Sequence, residues 1–251
     1  MPEDRGVLLV TGAGRGIGAA VARLGARDGY TVAVNYAASA READAVAREI
    51  RESGGRAITV QGDVAKEEDI LRVFATVERE LGPITGLVNN AGITGGVHRV
   101  DELTLDTLET TFAVNVTGSI LCAREAVMRM ATRRGGEGGA IVNISSMAAK
   151  LGGPFEWVHY AASKGAIESF TIGLAREVAA EGIRVNAVRP GLIESDIHLA
   201  AGDPDRPNRL GPTVPMKRAG AADEVAEGIV WLLSPAASYV TGAILEIGGG
   251  R

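Results

Sequence analysis

Apolar residues along the chain fall into two alternating patterns. Runs that are apolar almost throughout recur as VLLVTG (7–12), TVAVNY (31–36), AITVQGD (57–63), ITGLVNNAG (84–92), GAIVNISS (139–146), IRVNAVRPG (183–191) and AILEIG (243–248). Such runs read as strands covered on both faces. Between them lie segments such as AREADAVAREIRESGG and EEDILRVFATVERELG, with apolar residues at helical spacing and an end at Gly or Gly-Pro. This β-α-β alternation predicts an α/β fold, a Rossmann-type doubly wound parallel sheet of about seven strands with helices on both faces.

No repeat or second pattern interrupts it, so residues 1–251 read as a single domain large enough to bury a full core. One stretch breaks the rhythm. ESDIHLAAGDPDRPNRLGPTVPMKRAG (194–220) holds four of the nine prolines and follows the sixth strand, at the sheet edge where open α/β folds bind ligands. It reads as a substrate loop, with a plain surface excursion as the alternative.

Charge narrows the partners. The net charge is −5 and no basic block forms a stripe, which argues against nucleic acid and anionic membranes and for a small molecule. The one cysteine, Cys122, excludes an internal disulfide and a cysteine-based metal site, and with no activating partner in view it reads as a core residue. No metal site is expected. MPEDRG enters the first strand without a basic start, and no apolar run reaches the roughly 18 residues of a membrane span, so a cytoplasmic protein is expected.

Candidate chemistry sits at the strand ends. VLLVTGAGRGIGAAVARLGARDGY is a strand, a glycine turn and a helix. Glycines at 12, 14, 16 and 18 let backbone approach a pyrophosphate at the helix N-terminus. Ile17 breaks the G-x-G-x-x-G spacing, so the turn alone is a moderate signal. The second strand ends in Asn35-Tyr36-Ala37-Ala38-Ser39, with no acid to hold the ribose hydroxyls of NAD. Arg15 can pair with a 2′-phosphate through its planar fork, so NADP (NADPH) is favoured over NAD; a solvated turn residue is the bland alternative. Asp63 and Asn90 end the third and fourth strands on the ligand side, the first able to accept from an adenine amino group, the second able to brace the strand end or the ribose.

HYAASKGA (159–166) places Tyr160 and Lys164 at i and i+4, on one face of a helix. A phenol of pKa about 10 is a poor acid-base group at neutral pH. A positive charge about 4 Å away, at an effective dielectric of about 20, is worth roughly 4 kcal/mol, or about three pKa units. A tyrosine tuned in this way suits interconversion of a carbonyl and an alcohol beside a nicotinamide. Ser146, ending the fifth strand, can supply a second donor to the oxyanion. Asn115, in the helical FAVNVTG, can order a water or a backbone carbonyl near Lys164. Taken singly, these two also read as a turn serine and a satisfied core amide.

Together these motifs resemble the short-chain dehydrogenase/reductase family over essentially the whole chain. Thr11-Gly12-x-x-x-Gly16-x-Gly18 is similar to its cofactor turn, Asn89-Asn90-Ala91-Gly92 to its fourth-strand motif, and Asn115, Ser146, Tyr160 and Lys164 to its catalytic tetrad. The resemblance implies that Tyr160 gives and takes the proton, Lys164 lowers its pKa and binds the nicotinamide ribose, Ser146 holds the substrate oxygen and Asn115 maintains a water-linked proton path. Pro190-Gly191 matches the stretch that implies backbone contacts to the nicotinamide amide, continuing toward Ile193. The implied cofactor-binding set is Gly12, Arg15, Gly16, Ile17, Gly18, Asn35, Asp63, Val64, Asn90, Ala91, Gly92, Tyr160, Lys164, Pro190, Gly191 and Ile193. Two departures stand out. Fourteen residues separate Ser146 from Tyr160 where the family has about thirteen, which keeps Ser145 as an alternative, and Gly248 replaces an Asp common in relatives. The resemblance also implies a homotetramer built through helices near 104–133 and 158–181. Ala162, Ala166, Ser169 and Gly173 permit close packing there, or inside the monomer.

The expected pocket lining is Ile93, Thr94, Met147, Phe155, Trp157, Leu192, Ile193 and His198, mostly apolar, which suits a small neutral carbonyl or alcohol. His159 and His198 can serve in proton traffic but read more simply as structural or solvated. The leading expectation is an NADP(H)-dependent oxidoreductase of the 3-oxoacyl reductase-like or glucose dehydrogenase-like kind. A 3-oxoacyl-acyl-carrier-protein reductase is the alternative and needs basic residues at the pocket mouth, with Arg99, Arg129, Arg133 and Arg134 as candidates. A dinucleotide-sensing module without turnover is the alternative of another class.

Overall fold

The computed structural model describes residues 4–195 and 201–251. Seven parallel strands stand in the order β3-β2-β1-β4-β5-β6-β7: β1 (Val7–Val10), β2 (Thr31–Tyr36), β3 (Ala57–Gln61), β4 (Ile84–Asn89), β5 (Gly139–Ile144), β6 (Ile183–Pro190) and β7 (Ile244–Ile247). The order reverses between β1 and β4, and the crevice at the C-terminal ends of these two strands is where a doubly wound sheet takes its ligand. The apolar runs stop short of their predicted ends. Thr11-Gly12 and Asn90-Ala91-Gly92 leave the ladder and turn into that crevice.

Helices cover both faces. On one lie α1 (Gly16–Arg27) and α2 (Ala40–Glu52), whose Ala43, Val46, Ala47 and Ile50 bury the i, i+3, i+4, i+7 stripe that the sequence shows. On the other lies α3 (Glu67–Leu81), which opens with three acids against the positive end of its dipole, buries Ile70, Val73, Phe74 and Val77, and stops at Gly82 with φ 103°. Phe74 is fully buried, so truncation to alanine would cost about 3–5 kcal/mol.

The single long helix expected near 104–133 is in fact three pieces. α4 (Leu105–Phe112) passes through a π-helical turn, Ala113–Gly118, into α5 (Ser119–Met130). Gly118 explains the widening: a β-carbon there would sit 2.5 Å from the carbonyl oxygen of Val64, so the turn rides directly on the end of the third strand. The same widening points Asn115, fully buried, toward the catalytic end. Cys122 is buried on α5 and burial pushes its thiol up to about 12, which leaves it an inert core residue.

Beyond β5, a short α6 (Ala148–Leu151) leads to α7 (Val158–Val178). Ala162, Ser169 and Gly173 are exposed on α7 and Ala166 half-buried, so the small-residue stripe faces outward and does not pack inside the chain. After β6 the irregular segment is clasped at its base, Gly220 N donating to Leu192 O and Glu194 N to Gly220 O, both at 2.9 Å. It contains α8 (Arg206–Leu210), and α9 (Ala222–Leu233) follows it onto the face of α1. No helix among the described residues is long and apolar enough to cross a membrane.

Candidate active site

Three strand ends are tied together by side chains. Thr11 Oγ1 accepts from Asn90 N at 3.0 Å and Ala91 N at 3.1 Å, while Asn90 Nδ2 donates to Thr11 O and Gly12 O. Gly12 sits at φ 62° with its would-be β-carbon 3.0 Å from Ala91 Cα. A β-carbon on Gly18 would lie 2.4 Å from Asn90 Nδ2. Any side chain at either position would push the turn off β4, which is why glycine stands there.

Asn35 corrects an expectation. Its carbonyl accepts from Gly12 N at 3.3 Å and its amide donates to Val60 O and Gly62 O, so it borders the crevice as a brace for the glycine turn and its polar atoms are turned to the backbone. Asn90 likewise braces strand ends, the first of the two roles read for it. Gly18 is the one expected cofactor position that does not face the crevice; it packs the turn instead.

The crevice encloses about 620 Å³ and runs from Gly12, Arg15, Gly16 and Ile17, past Asp63, Val64, Ala91 and Gly92, to Tyr160, Lys164, Pro190, Gly191 and Ile193. At its outer end Arg15 is exposed and makes no side-chain bond to the described residues, opposite Ala37, Ala38 and Ser39, where no carboxylate stands.

At the inner end, Tyr160 and Lys164 share a face of α7, 7% and 4% exposed. Lys164 Nζ donates to Ile144 O at 2.7 Å and lies 5.7 Å from the centre of the Tyr160 ring. Ser146 borders the crevice with Tyr160, and its hydroxyl accepts from Ala148 N at 3.1 Å. Ser145, its neighbour, borders the same crevice but is buried and donates its hydroxyl to Glu168. Asn115 stands behind the crevice. Its amide donates to Ile93 O at 2.8 Å and Ser163 Oγ at 3.0 Å, and its carbonyl accepts from Ile93 N. The backbone carbonyl it holds is therefore that of Ile93, and Gly92 lies between its oxygen and Lys164 Nζ.

Burial dominates the electrostatics. It raises the Tyr160 phenol, against a smaller lowering by the Ser146 hydrogen bond, and it brings the Lys164 amine down to about 8. The ammonium is turned to Ile144 O, and in this arrangement burial of the phenol outweighs any lowering by Lys164.

Ile93, Thr94, Trp157 and Ile193 border the crevice as expected. Met147 is buried beneath Gly248, Leu192 borders a smaller separate cavity, and Phe155 is 74% exposed. His198 lies outside the described residues. His159 is buried, which pulls its pKa down, and neither of its ring nitrogens has a hydrogen-bond partner among the described residues. Gly191 and Gly248 are so close that a β-carbon on Gly191 would lie 2.6 Å from Gly248 Cα. Sequence reasoning missed Gly95, Gly96, Val114 and Ser195 on the wall; the paired glycines after NNAG-Ile-Thr were the readable signal. Among the described residues no His, Cys, Asp or Glu cluster is placed to hold a metal ion.

Comparison with known proteins agrees with this geometry. A family model described as enoyl-(acyl carrier protein) reductase matches residues 12–251. The uncharacterized oxidoreductase YgfF of Escherichia coli is 50% identical over 98% of this chain and 99% of its own. The 3-oxoacyl-[acyl-carrier-protein] reductase FabG of Staphylococcus epidermidis is 37% identical over 96% and 97%. A short-chain dehydrogenase from Burkholderia cenocepacia, solved in complex with NADP, superposes with a TM-score of 0.90 at 35% identity, covering 98% of each chain. With the glycine turn, the sheet order and the Ser-Tyr-Lys geometry in place, the chain belongs to the short-chain dehydrogenase/reductase family of oxidoreductases.

Proposed function

We propose that the protein is an NADP(H)-dependent oxidoreductase that interconverts a neutral carbonyl compound and a secondary alcohol, with Tyr160 as proton donor and acceptor. One observation carries the reading: a single crevice joins the glycine turn to a buried tyrosine, with Ser146 and Lys164 on the same wall.

The residues fit the dinucleotide. Gly12, Gly14 and Gly16 leave a cradle free of side chains at the N-terminus of α1, suited to a pyrophosphate, and the unpaired Arg15 beside Ala37–Ser39 suits a 2′-phosphate where an acid would repel it. The complex of the Burkholderia relative with NADP supports the same choice. When bound, the nicotinamide supplies and accepts the hydride. The chain supplies the rest. Ser146 and Tyr160 hydrogen-bond the substrate oxygen; in reduction the Tyr160 hydroxyl gives its proton to that oxygen, and in oxidation it takes one. A phenol kept protonated by burial is ready for the first direction. Lys164, with an amine pKa of about 8, is mostly charged at neutral pH and stabilises the phenolate that follows. Asn115 acts at one remove, fixing Ile93 and with it the loop on the other side of the crevice.

The walls favour a free carbonyl compound over one carried on an acyl-carrier protein. Of the four basic residues that a carrier would need, Arg99 pairs with Asp101, Arg129 with Glu78 and Glu125, and Arg133 with Glu181, while Arg134 is exposed and without an ion pair among the described residues. Three of the four charges are thus matched in place. The outward stripe of small residues on α7 supports assembly into a homotetramer, and the lone buried Cys122 suits the cytoplasm.

Initial rates of NADPH oxidation, with NADH in parallel, across diketones, keto esters, cyclic ketones and acetoacetyl thioesters test the reading. Turnover of neutral ketones with NADPH preferred supports it. Tight NADPH binding with no turnover in either direction favours the dinucleotide-sensing alternative.

A further inference from the structure

Arg206 is a buried cation in the segment after β6. It is 7% exposed, and its guanidinium lies 4.2 Å from the centre of the Trp157 ring. Both of its terminal nitrogens donate to the carboxylate of Glu156, at 3.0 and 2.6 Å, and one lies 3.6 Å from Asp203. Glu156 and Trp157 belong to the turn that starts α7, four and three residues before Tyr160, and Trp157 meets Tyr160 edge to face at 6.1 Å. Ala201, from the same segment as Arg206, packs against both rings. The chain thus reaches from the irregular segment to the crevice wall through one side chain that combines a forked ion pair with a cation–π contact. A lysine can supply neither the fork nor the stacked plane.

We propose that Arg206 is the positioning residue of the substrate wall: forked onto Glu156 and stacked on Trp157, it holds the Ala201–Leu210 stretch against Tyr160 and so sets the size of carbonyl compound that reaches the phenol. The inference rests on the oxidoreductase reading for its kinetic consequence, and on the structure alone for the latch itself. Because the charge of Arg206 is matched by Glu156 and Asp203, the wall it builds beside Tyr160 is a ring and a methyl group with no free charge, which selects neutral substrates.

Two measurements on Arg206→Gln, Arg206→Lys and Glu156→Gln test the proposal. The first is amide hydrogen exchange over residues 201–210 in the unliganded full chain. Both Arg206 variants should exchange at least about tenfold faster there, with the central strands protected as in the parent, since an opening free energy lowered by 1.4 kcal/mol is tenfold. The second is steady-state reduction of ethyl acetoacetate and the bulkier ethyl benzoylacetate with NADPH. KM for ethyl acetoacetate should rise on the order of tenfold while kcat and NADPH affinity change less than about threefold, and the preference for the smaller ester should weaken. Adding Glu156→Gln to Arg206→Gln should change little more, as expected for partners in one interaction. Parent-like exchange over 201–210 in Arg206→Gln would overturn the latch, and accelerated exchange with an unaltered KM and ester preference would overturn its role in selection. If the parent reduced neither ester nor any other carbonyl, the oxidoreductase reading would fail, while the exchange data would still decide the latch.

Discussion

Ser145 donates its hydroxyl to Glu168 Oε1 at 2.6 Å, and Glu168 in turn receives both Nε and an Nη of Arg189, so the first of two adjacent serines is committed to the scaffold while the second faces Tyr160. The two should therefore fail differently. Ser146→Ala should lower kcat about 100-fold with folding intact, the usual effect of removing one donor to a developing oxyanion. Ser145→Ala should cost about 1–2 kcal/mol of stability through the lost hydrogen bond to Glu168, whose pairing with Arg189 remains, and leave kcat within a few fold. Paired kinetics and thermal melts check this, and the reverse pattern would make Ser145 the catalytic serine.

Lys164 carries a stability cost that depends on pH. Its amine titrates near 8 in the fold against 10.5 ordinarily, so between these values the unfolded chain binds more protons and stability rises with pH; below 8 both states are protonated and the full cost of burial is present. Lys164→Met removes that cost, on the order of 3 kcal/mol, less about 1 for the unpaired Ile144 carbonyl. Relative to the parent, the variant should be most favoured at pH 7 and lose ground by pH 10. A difference in melting temperature that is flat with pH would contradict the burial argument.

Arg15 should decide between the dinucleotides. Arg15→Ala should weaken NADPH binding about tenfold or more and leave NADH nearly unchanged, because a charge-assisted fork to a phosphate is worth more than about 1.4 kcal/mol. Fluorescence titration with both cofactors reads this directly. Equal losses for both would place Arg15 at the pyrophosphate.

Much of this was legible in the chain. All-apolar strand runs and helix stripes fixed the sheet, because burial on both faces leaves little choice of residue, and the Tyr160–Lys164 spacing placed two reactive groups on one helical face. What stayed hidden depends on distant contacts. Nothing local says that Asn35 turns to the backbone of Gly12, Val60 and Gly62, since its partners come from two other segments of the chain. The π-helical turn at Ala113–Gly118 is set by how near Gly118 lies to Val64, which helical periodicity does not encode. Nothing in the proline-rich stretch marks Arg206 as buried. Only the fold brings Glu156 and Trp157 under it.

The most direct test compares the parent with Tyr160→Phe in NADPH-dependent reduction of the best ketone from the panel, with NADPH affinity measured alongside. The loss of one hydroxyl should cut kcat by at least about 100-fold, the lower end for a general acid, and leave NADPH affinity within about twofold. A variant that reduces the ketone at close to the parent rate would show that the proton comes from another group, and the assignment of Tyr160 would be wrong.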